Sequence, residues 1–218
     1  MSKKNIYLFL IFCLCALFFF SCSDSSPKVG TVNATLVYDF SETGVMYTQH
    51  LSVFIHPTSD EKRLASIKIV SEANGYEWNI DEPERVDSGK NAYFGSWNLV
   101  CPNGEPFEDG KYIVSFKDLA DREVSSMFTL KNLESMKTKN GNFVRSRDVL
   151  VGNAGSECAL KRVVLYDDND MELYCGLYNA MFENRGELKN NFPTAKKYRV
   201  YYVNKDNSCA IFMPEENL

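Results

Sequence analysis

From Thr31 onward, apolar residues alternate with polar ones in short stretches. That is the period of two expected of half-buried strands, not the 3.6 of an amphipathic helix. Val32, Ala34, Leu36 and Tyr38 share one side of the first stretch, and Leu51, Val53 and Ile55 one side of the second, which ends at Pro57, Ser59 and Asp60. Two further runs, Leu64 to Val70 and Tyr76 to Ile80, are joined by Glu72-Ala73-Asn74-Gly75. The Asn-Gly pair predicts a tight turn with both central residues at positive φ. Phe94 to Val100, a turn at Pro102-Asn103-Gly104 and a long strand-like segment from Phe107 to Leu130 follow. Strands at this spacing, punctuated by Gly, Pro, Asn and Asp, predict an all-β antiparallel sandwich.

The second half echoes the first. Tyr198 to Tyr202 lines up with Tyr112 to Phe116, Ala210-Ile211-Phe212 with Ser126-Met127-Phe128, and Leu160 to Tyr166 with Leu64 to Val70. The echo predicts a duplication, with one sandwich over 31–132 and a second, less regular one over 133–218. The polar stretch Glu134 to Asn142 would join them. The alternative is a single larger sandwich whose strands are shared across the join. Leu177, Ala180 and Met181 lie at helical spacing and predict one short helix within Gly176 to Asn184.

The chain's opening follows a different pattern. Lys3 and Lys4 precede an uncharged apolar run from Ile6 to Phe20, which stops at Ser21-Cys22-Ser23-Asp24. A basic start, an apolar run shorter than a membrane span and a small residue at the cut form an export signal. Phe19-Phe20-Ser21-Cys22 resembles the lipobox of bacterial lipoproteins, in the relaxed form with bulky residues found in spirochaetes and some other lineages. The resemblance implies removal of residues 1–21 and acylation of Cys22, palmitate included. More than one acyl chain makes such anchoring effectively stable. Residues 22–30 then read as a lipidated polar tether, which places the protein on a bacterial membrane in the cell envelope. The outer membrane is expected ahead of the inner.

A second resemblance lies in the strands. Gly110, Tyr112, Val114, Phe116 and Asp118, followed by Phe128, Thr129 and Leu130, are similar to the final hairpin of bacterial immunoglobulin-like domains. Ala120-Asp121-Arg122-Glu123 stands where that family carries a turn glycine. The resemblance implies an immunoglobulin-like fold and nothing about function.

Charge narrows the classes. Loss of residues 1–21 removes Lys3 and Lys4, leaving 22 basic residues against 29 acidic ones, a net charge of −7. Nucleic-acid binding needs a basic footprint, so it is not expected. Cys13 and Cys15 leave with the apolar run, and Cys101, Cys158, Cys175 and Cys209 remain beside Cys22. Export permits disulfides among them, but four cysteines allow three full pairings and the sequence does not choose.

Candidate groups for chemistry are sparse. Asp167-Asp168-Asn169-Asp170 is the densest acidic cluster, yet it lacks the ligand spacing, Gly and distal Glu of a calcium loop, so a turn is expected. His50 and His56 are the only histidines, flank one strand and have no nucleophile motif beside them. Acidic residues gather in two loops, Glu82, Glu84 and Asp87 in one and Glu105, Glu108 and Asp109 in the other. Nothing fixes a glycosidase spacing between any of them. No catalytic residue, metal site or cofactor is expected.

Aromatic residues are the remaining candidates. Trp78 is expected in the core, while Trp97 is open to a partner. Tyr198, Tyr201 and Tyr202 place rings on both faces of one strand, which predicts at least one at a surface or interface. The expectation is a lipid-anchored, non-catalytic module that binds a protein or carbohydrate through Trp97, Tyr198, Tyr201 and Tyr202. The alternatives are an accessory subunit of an envelope complex and, more remotely, a carboxylate-based hydrolase.

Overall fold

The structure, a computed structural model, describes residues 27–40, 47–58, 63–133 and 160–218. The expected signal segment, Cys22, Cys158 and the expected join Glu134 to Asn142 lie outside the described residues. Twelve strands are described: β1 (Val29–Phe40), β2 (Tyr47–Pro57), β3 (Leu64–Ser71), β4 (Glu77–Ile80), β5 (Glu84–Ser88), β6 (Asn91–Leu99), β7 (Gly110–Asp118), β8 (Glu123–Leu130), β9 (Leu160–Tyr166), β10 (Glu172–Leu177), β11 (Lys197–Val203) and β12 (Cys209–Asn217). They form an eight-stranded sheet, β10-β9-β11-β12-β1-β2-β6-β5, and a four-stranded sheet, β4-β3-β7-β8.

The two sheets pack as a β-sandwich because alternation puts one apolar set on each inner face. Leu36, Tyr38, Phe40, Leu51, Val53 and Ile55 from the large sheet meet Ile67, Ile69, Tyr112, Val114 and Phe116 from the small one, all almost fully buried. Each such side chain contributes roughly 1.5–3 kcal/mol when fully withdrawn from water. A one-residue slip in either strand would turn its whole set to solvent, so the register is strongly specified.

Strands from both expected modules share the large sheet. β1 pairs β12 in parallel, Leu36 opposite Cys209 through Asp39 opposite Phe212. Chain segment 160–218 therefore extends the first sheet, the arrangement of the single-sandwich alternative. The sequence echo has a structural counterpart all the same: β4-β3-β7-β8 and β10-β9-β11-β12 have the same order, each built from two antiparallel hairpins joined through their first and third strands.

Beyond the small sheet, the inner face of β9 to β11 is covered by a 3-10 turn (Ala180–Glu183) and helix α1 (Arg185–Asn191). Phe182, Leu188 and Ala195 bury Val163 and Leu165 there. The short helix expected within Gly176 to Asn184 is the 3-10 turn, which holds Ala180 and Met181 but not Leu177, and α1 follows it. β10 keeps Leu177, and Asn184 supplies the cap by accepting from the backbone N–H of Gly186 and Glu187, which starts the helix after it. The Asn74-Gly75 turn also differs in detail: only Gly75 is left-handed (φ 74°), and Asn74 Oδ1 accepts instead from Tyr76 N.

The turn between β7 and β8 manages without glycine. Asp121 takes φ 60°, a region that Asp tolerates better than most residues. Asp118 fastens the turn by accepting from Ala120 N at 2.8 Å, Arg122 N at 3.0 Å and the Arg122 guanidinium at 2.8–2.9 Å.

A buried polar knot ties the strands where β8 leaves the small sheet. Tyr38 Oη donates to Asn132 Oδ1 at 2.6 Å and accepts from Leu133 N at 2.6 Å. Asn132 Nδ2 donates to Phe107 O at 2.6 Å, while Gln49 Oε1 accepts from Phe107 N at 3.0 Å.

Candidate functional site

The outward face of the large sheet carries the candidate residues that remain accessible. Trp97 on β6 is 51% exposed, and its ring lies 4.4 Å from that of Phe54 on β2. Phe54 is itself buried, and it stands opposite Asn33 on β1 and Gly95 on β6. Gly95 is required there by close approach: a Cβ would lie 1.8 Å from Val53 O. The Phe54 ring is tilted 54° against the Trp97 indole. His56 and Tyr93 extend the row, with ring centroids 5.4 Å apart and His56 Nδ1 2.9 Å from Ala92 O. The outcome is an aromatic patch whose exposed end is an indole of fixed orientation.

The three tyrosines stand elsewhere. Tyr201 points outward from β11 but is only 9% exposed, stacked on Phe212 at 4.7 Å with its hydroxyl 3.2 Å from Cys175 Sγ. Burial foremost, and the Cys175 contact after it, hold that phenol well above its ordinary pKa. Tyr198 and Tyr202 point inward. Tyr198 donates to Glu216 and packs under the 3-10 turn and α1, and burial with that bond pushes its pKa up to about 12. Tyr202 packs against the main core. Three strands separate β11 from β6, so Trp97 and the tyrosines are about 19 Å apart and form no common site. Aromatic rings do occupy both faces of β11, as the alternation implied.

The other candidates fall into structural roles. Trp78 donates its indole N–H to Val100 O at 2.7 Å and stacks on Phe107 at 5.5 Å. Asp167 Oδ1 accepts from Asn169 N and Met171 N, Asp170 is left-handed at φ 60° and pairs with Lys197, so the acidic run is the β9–β10 turn. His50 has its pKa lowered by burial first and by Arg199, against the opposing pull of Asp39. Among the described residues no group of three His, Cys, Asp or Glu side chains is placed to hold a metal ion. Cys101 is a buried free thiol, pushed up to about 11 chiefly by burial, and Cys175 is an exposed free one.

Sequence reasoning missed a cleft of about 370 Å³ at one end of the sandwich. Val32, Asn33, Ala34 and Thr35 of β1 form one wall, Phe128 and Thr129 of β8 the other, and Asp206, Asn207 and Ser208 of the β11–β12 turn its end. The cleft exists because β12 joins β1 only at Leu36, a pairing between distant segments that no local pattern announces. No protein-family model, no curated protein and no solved structure matches the chain.

Proposed function

We propose that this chain is a lipid-anchored, non-catalytic protein of the bacterial cell envelope, held by acylated Cys22, whose β-domain binds a protein or carbohydrate partner through the patch around Trp97. The observation that carries the binding site is a half-exposed indole fixed on a buried phenylalanine. A rigid aromatic anchor loses little entropy on contact and contributes large apolar area, which is why tryptophan is enriched at binding hot spots. Sheets on an envelope tether stand clear of the bilayer and leave that face open to a partner. The anchoring itself rests on the apolar run and the Ser21-Cys22 junction.

Two features support an immunoglobulin-like reading of the first segment. Its strands are ordered β1-β2-β6-β5 against β4-β3-β7-β8, equivalent to A-B-E-D facing C, F and G with an added edge strand. Tyr112 near the start of β7 donates back to Glu108 O at 2.9 Å, the corner bond such domains place on their penultimate strand.

The test replaces Trp97 by a photo-crosslinking residue in the full chain, expressed in the cells it comes from, with radiolabelled palmitate supplied. Label on the wild type but not on C22A, and a discrete protein or glycan adduct from position 97, is the expected result. A C22A chain that takes up as much label as wild type would refute the anchor. Crosslinking at 97 no stronger than from exposed Leu119 would refute the patch.

A further inference from the structure

We propose that the cleft between β1 and β8 is a docking slot for an extended peptide strand of a partner protein, which adds to the open edge of β1 and places a basic side chain beside Asp206. This site is separate from the Trp97 patch and stands whether or not that patch binds anything.

The backbone makes the case. Along a strand, the N–H and C=O of one residue point to the same side, and the side alternates. Leu36 N donates to Ser208 O at 2.9 Å, toward β12. Ala34 and Val32 therefore direct their N–H and C=O to that side as well, but β12 begins pairing only at Leu36. On the other side β2 runs opposite the whole stretch. Two residues thus present a ladder of donors and acceptors with no strand against it among the described residues. Thr35 Oγ1, donating to Asn207 O at 2.5 Å, fixes the turn that closes the slot's end.

The edges at β5, β4 and β10 are guarded. β5 carries Glu84, Arg85 and Asp87 within five residues, β4 has only four, and β10 is bulged between Glu172 and Tyr174. Charge, shortness and bulges are the devices that keep edges from recruiting strands. Thr31 to Thr35 reads Thr-Val-Asn-Ala-Thr, uncharged and rich in strand formers, and β8 is itself an edge strand across the slot. An added strand would turn alternate side chains toward Val32, Ala34 and Phe128, so small or branched apolar residues fit there. Its other side chains would lie beside Asn33, Thr35 and Asp206.

Charge decides between a foreign strand and a second copy. Asp206 is held ionised, its pKa lowered first by the backbone N–H of Ser208. A second copy would bring another Asp206 and, for a chain without residues 1–21, a net charge of −7 against −7. A peptide with lysine or arginine at the slot's end meets no such repulsion.

The test pans a phage-displayed library of seven-residue peptides against the full chain in detergent micelles. Enriched peptides are then measured on wild type, V32P and D206N. Proline removes the N–H that faces the slot and leaves the β2 side untouched, a substitution that strand edges accommodate. The expected result is alternating sequences with a basic residue, weakened about ten-fold by V32P and several-fold by D206N, as loss of a backbone bond and its fit implies. Exchange of the Val32 and Ala34 amides should slow with peptide bound, while those of Asn33 and Thr35, which face β2, should not change. Should V32P fail to fold, methylation of alternate peptide nitrogens replaces it and must abolish binding in one phase of the alternation only. No enrichment, or binding indifferent to both V32P and methylation, overturns the proposal. Slow exchange of the Val32 and Ala34 amides without peptide overturns it, in favour of a second copy if the chain sediments as a dimer and of a segment of the same chain if it sediments as a monomer.

Discussion

Tyr38→Phe isolates the knot that ties the two sheets together. The ring stays, fully buried and packed against Tyr47 at 5.6 Å, so the core keeps its volume and only the hydroxyl leaves. That oxygen donates to Asn132 Oδ1 and accepts from Leu133 N, both at 2.6 Å. Two ordinary hydrogen bonds are worth about 1 kcal/mol each, and a buried donor left without an acceptor adds its own desolvation cost of about 1–3 kcal/mol. Asn132 Oδ1 retains a longer bond from Gln49 at 3.3 Å, so the acceptor side is partly relieved. The sum is about 3–5 kcal/mol, or roughly 6–20 °C in Tm for a domain of this size. Urea unfolding of the full chain in detergent measures it, with an unchanged m-value as the sign that the native state is otherwise intact. A cycle with N132A should give a coupling of at least about 1 kcal/mol, because both substitutions break the same bond. Tyr38→Phe within about 0.5 kcal/mol of wild type, or a coupling near zero, would refute the account of the knot.

Other consequences follow from single contacts. Gly95→Ala would place a Cβ 1.8 Å from Val53 O, which forces β2 and β6 apart and should lower the free energy of unfolding, measured in urea, by more than about 2 kcal/mol. Burial works to raise the Asp118 carboxyl, but the bonds from Arg122 and from the Arg122 and Ala120 N–H groups outweigh it, so its folded pKa is depressed. Its stabilising contribution is present above the unfolded carboxylate pKa of about 3.9 and disappears as pH falls through the lower folded value. Asp118→Asn should therefore cost stability at pH 7 and flatten the acid limb of a stability–pH curve below about pH 4. Cys175, exposed, should alkylate in the native protein well before Cys101, whose thiol is buried and pushed up to about 11; mass spectrometry of a timed iodoacetamide reaction checks the order. Acrylamide should quench Trp97 emission before that of Trp78, which single-tryptophan variants separate.

Much of the fold could be read locally because strand formation leaves a local trace. Alternation at Val32 to Tyr38 and Leu51 to Ile55 marks one face per strand, and those are the residues that meet in the core. The hairpin from Gly110 to Leu130 was equally plain, and Asp121 shows why its turn needs no glycine. The start of α1 was missed because it is set by one capping side chain, Asn184, and not by the apolar spacing before it. Tyr201 illustrates the limit for sites. Alternation showed that it faces away from Tyr198 and Tyr202, but not that Phe212 would cover it.

By itself, then, the sequence determined the strand content, the inward and outward faces, the turn positions and the echo between Leu64–Phe128 and Leu160–Phe212. These depend on the period of side chains along one strand and on the torsional needs of single residues. Tertiary structure alone decided which strands are neighbours. Pairing β1 with β12 put both halves of the chain in one sheet, left Val32 and Ala34 with no strand on that side among the described residues, and placed three strands between Trp97 and the tyrosines. Strand pairing is a contest among many chemically similar edges across long loops. Its outcome rests on the summed burial of the faces that meet, which no short stretch of sequence contains.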